Sequence, residues 1–165
     1  MKLTPQQVGR AGEHLVAAEI NLRGGYAAMF TGNMPQIDLL ATNADRTRTI
    51  GVQVKTRSRG SAWQVKTTDG RLCESVDDDS VYWVFVDLST REFWVAPGAW
   101  VQNLIQLRCT AYLERHGGQR PVTPSSDHAT LPTEVLDEWK DRWDVLGIFH
   151  IAPELTVVPG SRPRS

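Results

Sequence analysis

The first hydrophobic stripe in the sequence has the period of a helix. Its apolar positions, three or four residues apart, are Val8, Ala11, Leu15, Ala18 and Leu22. Thr4 stands where an N-cap is needed, Pro5 suits the first helical position, and Gln7 can complete a capping box. Gly24 and Gly25 then end the pattern. We therefore expect a helix from about residue 5 to residue 22.

Strand-like runs follow this helix. They lie at 26–30, 36–42, 49–56, 61–67, 81–88 and 91–96. The turn-like stretch NADRTR joins the second and third runs, so these two should form a hairpin. The fifth run is apolar enough for a buried strand, and the sixth should pair with it across a tight Ser-Thr turn.

The C-terminal half of the sequence mixes helical and irregular patterns. Residues 99–115 read as a helix that is closed by two glycines. Prolines among Ser and Thr predict a loop over residues 119–133. The stretch TEVLDEWKDRW, residues 133–143, predicts a short helix.

The composition is that of an ordinary globular chain. The 165 residues are 41% hydrophobic and 22% charged, and the longest apolar run, VYWVFV, is too short to span a membrane. The order of helix, strands and helix predicts one α/β domain over residues 1–155, with a disordered tail at 156–165. The N-terminus has no apolar leader pattern, and Cys73 and Cys109 have neither disulfide nor metal spacing. We expect a soluble, cytoplasmic protein with no membrane partner.

Positive charge is concentrated in one window of a chain whose net charge is −1. Between residues 46 and 71, Asp69 is the only acidic residue among several basic ones. They are Arg46, Arg48, Lys55, Arg57, Arg59, Lys66 and Arg71. The window is either a solvated basic face or a local site for a polyanion.

The run at 49–56 alternates apolar and polar side chains. In a strand, Gln53 and Lys55 would lie on one face about 7 Å apart, opposite the apolar set. Hairpin pairing could bring Asp38 beside Gln53. Glu13 lies on the flank of the first helix's buried side, where a half-buried carboxylate needs a cation as partner. A carboxylate, an amide oxygen and an ammonium group are thus predicted to converge.

The segments GRAGEHLVAAEINLRGG, NMPQIDLLA and IGVQVKT resemble the core of the PD-(D/E)XK nuclease superfamily, over residues 9–56. The resemblance implies a restriction-endonuclease-like α/β fold, with an N-terminal helix and then a central mixed β-sheet flanked by helices. In that family a helix glutamate, a hairpin aspartate and an acidic-X-lysine strand form a magnesium site. The matching positions here are Glu13, Asp38, Gln53 and Lys55. The family usually has Asp or Glu where this chain has Gln, although some branches carry Gln.

The resemblance implies a role for each of these residues. Mg²⁺ would be held by Glu13, Asp38, Gln53 and the carbonyl of Val54, and we expect Mn²⁺ to substitute for it. Gln53 offers an oxygen but no charge, so the metal should bind more weakly than with Glu. Lys55 would position the attacking water or help deprotonate it, and would stabilise the transition state. The implied reaction is hydrolysis of a DNA phosphodiester bond by a metal-activated water.

The basic residues after this strand are the expected DNA contacts. Arg57, Arg59 and Lys66 would bind backbone phosphates, which fixes the register of the DNA without reading its sequence. Trp63 is a candidate for stacking on bases, with core packing as the default.

Three functions from different classes remain open. The chain could be a Mg²⁺-dependent DNA endonuclease, a nucleic-acid-binding module of the same fold without catalysis, or a protein-interaction domain. Because a cut across two strands needs two active sites, we also expect a homodimer, with its interface near residues 99–115 and 134–146. The histidines have no ligand spacing, so a zinc site is not expected.

Overall fold

An N-terminal helix and a central mixed sheet organise the structure. The computed structural model describes residues 3–30, 34–74, 80–119 and 127–149. The helices are α1 (Pro5–Leu22) and α2 (Gly98–Arg115). The strands are β1 (Tyr26–Met29), β2 (Leu39–Thr42), β3 (Thr49–Arg57), β4 (Ala62–Lys66), β5 (Val81–Asp87), β6 (Glu92–Pro97) and β7 (His128–Pro132). Short 3₁₀ stretches cover Thr67–Asp69, Thr133–Trp139 and Trp143–Leu146.

The main sheet has the strand order β1-β2-β3-β5-β6. β3 and β5 are parallel, and the other neighbours are antiparallel. The predicted hairpin is the β2–β3 pair, in which Leu39 lies opposite Val52. β4 and β7 form a separate two-stranded ribbon. The predicted α/β class, with an N-terminal helix and a central mixed sheet, is confirmed.

Each face of the main sheet has its own core. On one face, Val16 and Ile20 of α1 pack with Leu39, Val52 and Val84. On the other face, α2 and the β4–β7 ribbon enclose a second cluster. That cluster includes Trp63, Phe85, Trp94, Ile105 and Leu131. Since side chains alternate along a strand, the even-numbered positions of β3 face α1 and the odd-numbered positions face the ribbon.

α1 begins at the predicted capping box. The Gln7 N–H donates to Thr4 Oγ1 (3.2 Å), and the Thr4 N–H donates to Gln7 Oε1 (2.8 Å). The predicted buried stripe is wrong in its rotation about the helix axis, because Leu22 is exposed. The buried residues of α1 are Gly12, Val16, Ala17 and Ile20. Gly12 lies directly against Thr56 of β3, and this close approach sets which side of the helix meets the sheet.

Gly12→Ala is expected to destabilise the protein because α1 and β3 touch at this point. A Cβ at Gly12 would lie 1.9 Å from Thr56 Oγ1 and 2.9 Å from Thr56 Cβ. Helix and strand would have to move apart, at a cost of about 1–3 kcal/mol. Gly9→Ala is the matched control, because nothing lies within 4 Å of a Cβ there, and helix propensity predicts a gain of about 0.5–1 kcal/mol. Urea unfolding measures both, and equal midpoints for the two variants would contradict the contact.

α2 starts immediately after β6 and matches the predicted helix at 99–115 within one residue. It buries Val101 and Ile105 in the second cluster and leaves Leu107 exposed. Neither helix in the described ranges combines the length and the apolar character that a membrane crossing requires. The homodimer interface expected on this helix stays a prediction.

The region after α2 contains a strand that the sequence pattern does not reveal. A loop is predicted over 119–133, but His128–Pro132 forms β7 and pairs antiparallel with β4. The partner of β7 lies far away in the sequence, so the pairing leaves little local signal. Pro132 is tolerated because β7 is an edge strand of the two-stranded ribbon. Two further prolines of the predicted loop, Pro121 and Pro124, lie outside the described residues.

The short helix predicted at 133–143 is wrong in its type. Two 3₁₀ stretches take its place, separated by a segment in which Lys140 forms a β-bridge with Trp94. Tertiary packing explains the break, since Leu136 and Trp143 are buried in different clusters on opposite faces of the sheet. The tail at 156–165 lies outside the part of the chain that the structure describes.

Candidate functional site

The candidate site lies where β2 and β3 separate. The pairing of these strands ends at Leu39 and Val52, and Asp38 directly precedes β2. The Asp38 N–H donates to the carbonyl of Val52 (2.8 Å). The Asp38 carboxylate Oδ2 accepts the Val54 N–H (2.6 Å) and the side-chain amide of Gln53 (2.9 Å). The predicted contact between Asp38 and Gln53 is therefore present. We call the contact set of Asp38, Gln53 and Val54 the Asp38 fork.

The fork also orients the backbone of Val54. The Gly51 N–H donates to the carbonyl of Ser80, so the backbone of Gly51 faces β5. Because this direction alternates from one residue to the next along a strand, the backbone of Val54 faces the opposite side, away from β5. The N–H and C=O of one strand residue point to the same side. Since the Val54 N–H donates to Asp38, the Val54 carbonyl is directed toward the fork as well.

Lys55 lies beside the fork on the ribbon face of the sheet. Its Nζ is 5.2 Å from the centre of the Trp83 ring, close enough for a cation–π contact. Burial lowers the pKa of Lys55 below its ordinary value, and Lys66 adds to this effect, while the carboxylates of Asp69 and Asp38 partly oppose it. A partly desolvated ammonium interacts more strongly with an anion than an exposed one does.

Glu13 reaches the same cavity as Asp38 from α1. The two carboxylates line a cavity of about 300 Å³, together with Gln6, Arg10 and Phe30. Glu13 Oε2 is 2.8 Å from Arg10 Nη1, and the side chain of Glu13 is 17% exposed. The structure thus brings Asp38, Gln53 and Val54 into direct contact, with Glu13 on the cavity wall.

The oxygen atoms near the fork suit a hard divalent cation. The carboxylates of Asp38 and Glu13 line the cavity, and the side-chain amide of Gln53 and the backbone of Val54 contact Asp38 beside it. Mg²⁺ prefers such ligands and retains several waters. The described residues contain no cluster of three or more His, Cys, Asp or Glu side chains arranged to hold a metal ion. Gln53, which contacts Asp38, contributes an uncharged amide and not a carboxylate.

Arg57 is committed to contacts within the protein. Its Nε lies 2.8 Å from Asp87 Oδ2, its Nη1 donates to Thr133 Oγ1 (2.8 Å), and its guanidinium carbon is 3.7 Å from the centre of the Trp63 ring. The side chains of Arg57 and Asp87 are 10% and 7% exposed. This placement does not leave the guanidinium of Arg57 available as a surface contact for phosphates.

Arg59 and Lys66, the other predicted DNA contacts, are both exposed. Trp63 is buried, and its Nε1–H donates to the carbonyl of Val86 (3.0 Å). Core packing is therefore the role that the structure gives Trp63.

Two carboxylates near these residues were not predicted from the sequence as site neighbours. Asp87 forms an ion pair with Arg57. Burial lowers the pKa of Lys55, and the negative charge of Asp69 opposes this larger effect. The signal for Asp87 is its position at the end of the apolar run VYWVFV, where a buried acid requires a cationic partner.

Comparison with known proteins finds similarity among solved structures alone. No protein-family model matches the chain, and no curated protein matches it. Among solved structures it is similar to the bacterial homing endonuclease I-Ssp6803I. The TM-score is 0.48 at 13% sequence identity, over 88% of this chain and 92% of that one.

Proposed function

We propose that the chain is a metal-dependent nuclease that hydrolyses DNA phosphodiester bonds at the Asp38 fork. The observation that carries the proposal is the contact set of Asp38. One carboxylate is held by Gln53 and by the backbone of Val54, next to the partly buried ammonium of Lys55. The charge of Asp38 acts on Lys55, and both residues lie where β2 and β3 separate, so the pair is available to bind a metal ion and a phosphate.

The residues of the fork would hold Mg²⁺, or Mn²⁺ in its place. Asp38 and Glu13 would supply the negative charge, and Gln53 and Val54 would supply neutral oxygens. When bound, the metal would lower the pKa of a coordinated water and offset charge on the phosphate. Glu13 would have to exchange its ion pair with Arg10 for the metal, at small cost because Arg10 is exposed.

The remaining residues bind and orient the substrate. Lys55 would direct its ammonium at the phosphate under attack, where charge develops in the transition state. Arg59 and Lys66 would contact flanking phosphates and set the register of the nucleic acid. Arg57 would act indirectly, by fixing the end of β3 through its pair with Asp87.

A nucleic-acid-binding module without catalysis is the second candidate, and Gln53 is the observation in its favour. The Gln53 amide and the Val54 N–H both donate to Asp38 Oδ2, so this oxygen has hydrogen-bond partners without a metal. An amide at this position also adds no charge to attract one.

A panel of labelled nucleic acids separates the two candidates. Linear duplex, single-stranded and branched DNA, together with RNA, are incubated with Mg²⁺, with Mn²⁺ and with EDTA. The nuclease proposal expects cleavage of DNA with either metal and none in EDTA. If binding is salt-dependent but no form is cleaved, the binding module is correct. If neither cleavage nor salt-dependent binding is observed, both candidates are wrong.

A further inference from the structure

A groove opens beside Lys55, between the start of α1 and the outer face of β4. It has a volume of about 740 Å³, within the size range of small-ligand sites. Leu3, Pro5 and Val8 form one wall, and Ala62 and Gln64 of β4 form the other. The part of β3 beyond the Asp38 fork forms the floor. Val54 and Lys55 also line it, so the groove begins beside the Asp38 fork.

The polar side of the groove is positively charged. Lys55 and Arg59 line it, and no Asp or Glu is among the described residues that do so. Lys66 lies two residues after Gln64 on the same face of β4, since Trp63 and Val65 are buried on the opposite face. An anion entering the groove would meet the positive charges of Lys55 and Arg59.

The floor contributes backbone groups. Beyond Val52, the side of β3 that β2 leaves is not paired with another strand of the described sheets. Thr56 has the same backbone direction as Val54, so its N–H and C=O point away from β5 and toward this side. A strand edge beside cationic side chains resembles other surfaces that bind anions through backbone N–H groups.

The apolar wall distinguishes a single strand from a duplex. Stacking buries the base faces of a duplex, whose outer surface consists of phosphates, sugars and groove edges. Leu3, Pro5 and Val8 would gain little from that surface. Unpaired bases expose apolar faces, which proteins cover with aromatic or apolar side chains while cations follow the backbone.

We infer that this groove binds a single nucleic-acid strand that leads away from the bond at the Asp38 fork. Its phosphates lie along Lys55 and Arg59, and its bases lie against the wall formed by Leu3, Pro5 and Val8. The inference rests on the proposed nuclease function and adds the substrate class, a nucleic acid with an unpaired strand beside the cut.

Binding in EDTA tests this without any cleavage. Fluorescence anisotropy compares a labelled single strand of about 12 nucleotides with a hairpin duplex that contains the same sequence. The single strand has about the length of one single-strand binding site. The wild type is expected to bind the single strand roughly tenfold more tightly. Equal binding of the two probes, or tighter binding of the hairpin, would overturn the inference.

Val8→Glu places a carboxylate on the apolar wall and should weaken single-strand binding by roughly tenfold or more. Ala18→Glu adds the same charge on an exposed position of α1 and should change binding by less than about twofold. Gln64→Glu alters the opposite wall at an exposed position and should also weaken binding, even if Val8→Glu fails to fold by circular dichroism. If the groove variants bind as tightly as Ala18→Glu, the strand lies elsewhere.

The two proposals can fail separately. Selective single-strand binding with no cleavage under any metal condition supports the groove and rejects the nuclease. Cleavage by a protein that prefers the hairpin supports the nuclease and rejects the groove.

Discussion

Asp38→Asn is expected to reduce metal-dependent cleavage by about 10² or more. Asn has nearly the same shape, but it removes the negative charge that the proposed metal requires. Its carbonyl oxygen can still accept the hydrogen bonds from Gln53 and Val54, because a single oxygen of Asp38 accepts both. In EDTA, DNA binding should be equal or tighter, because a negative charge near the phosphate is lost. Single-turnover rates at saturating Mg²⁺ and anisotropy in EDTA measure the two effects.

Three variants control for this result. Asp137→Asn removes an exposed carboxylate from the 3₁₀ stretch Thr133–Trp139 and should leave the rate unchanged. Gln53→Glu should retain cleavage and lower the Mg²⁺ concentration required, since it adds an anion. Lys55→Ala should also cost about 10² in rate, but it should weaken binding in EDTA. A rate within twofold of the wild type for Asp38→Asn would mean that the chemistry is not at the fork.

Arg57→Ala is expected to destabilise the fold by about 3–5 kcal/mol. It would leave the buried carboxylate of Asp87 without its cation. It would also remove the hydrogen bond to Thr133 and the contact with the Trp63 ring, which tie β3 to the ribbon. Arg59→Ala, two residues away and exposed, should change stability by less than about 0.5 kcal/mol. Urea unfolding at neutral pH compares them.

The pH dependence of stability provides a second measurement of the same pair. Burial alone would raise the pKa of Asp87, but hydrogen bonds from Ser89 and Arg57 outweigh it and hold the pKa below its ordinary value. The resulting stabilisation is present above the unfolded pKa of about 4 and is lost as the pH falls through the folded value. Arg57→Ala should make this acid-side loss shallower. An unchanged midpoint at pH 7 for Arg57→Ala would show that the pair contributes nothing.

Local signals predicted the parts of the fold that local physics controls. The capping box of Thr4 and Gln7 and the following glycines depend only on neighbouring residues, and the bounds of α1 follow from them. The turn between the second and third runs specified the β2–β3 hairpin. That pairing in turn brought Asp38 beside Gln53, since a hairpin register fixes which side chains are neighbours.

Features that depend on distant partners were not predictable in this way. The rotation of α1 depends on the contact of Gly12 with Thr56, a residue on another element. β7 exists because β4 offers it hydrogen bonds. Its own sequence, HATLP, has one β-branched residue and ends in a proline, so its local preference for a strand is weak. A strand that needs a remote partner has a weak local signature.

The basic residues at the end of β3 show the same difference between local and tertiary control. The sequence alone determined that Lys55, Arg57 and Arg59 lie close together at the end of the hairpin's second strand, because strand alternation and turn chemistry are local. Only the tertiary structure decided that Arg57 turns inward to Asp87 and Trp63 while Arg59 faces solvent. The physical reason is that a buried carboxylate must recruit a cation, and which cation it reaches depends on how β3 and β5 pair.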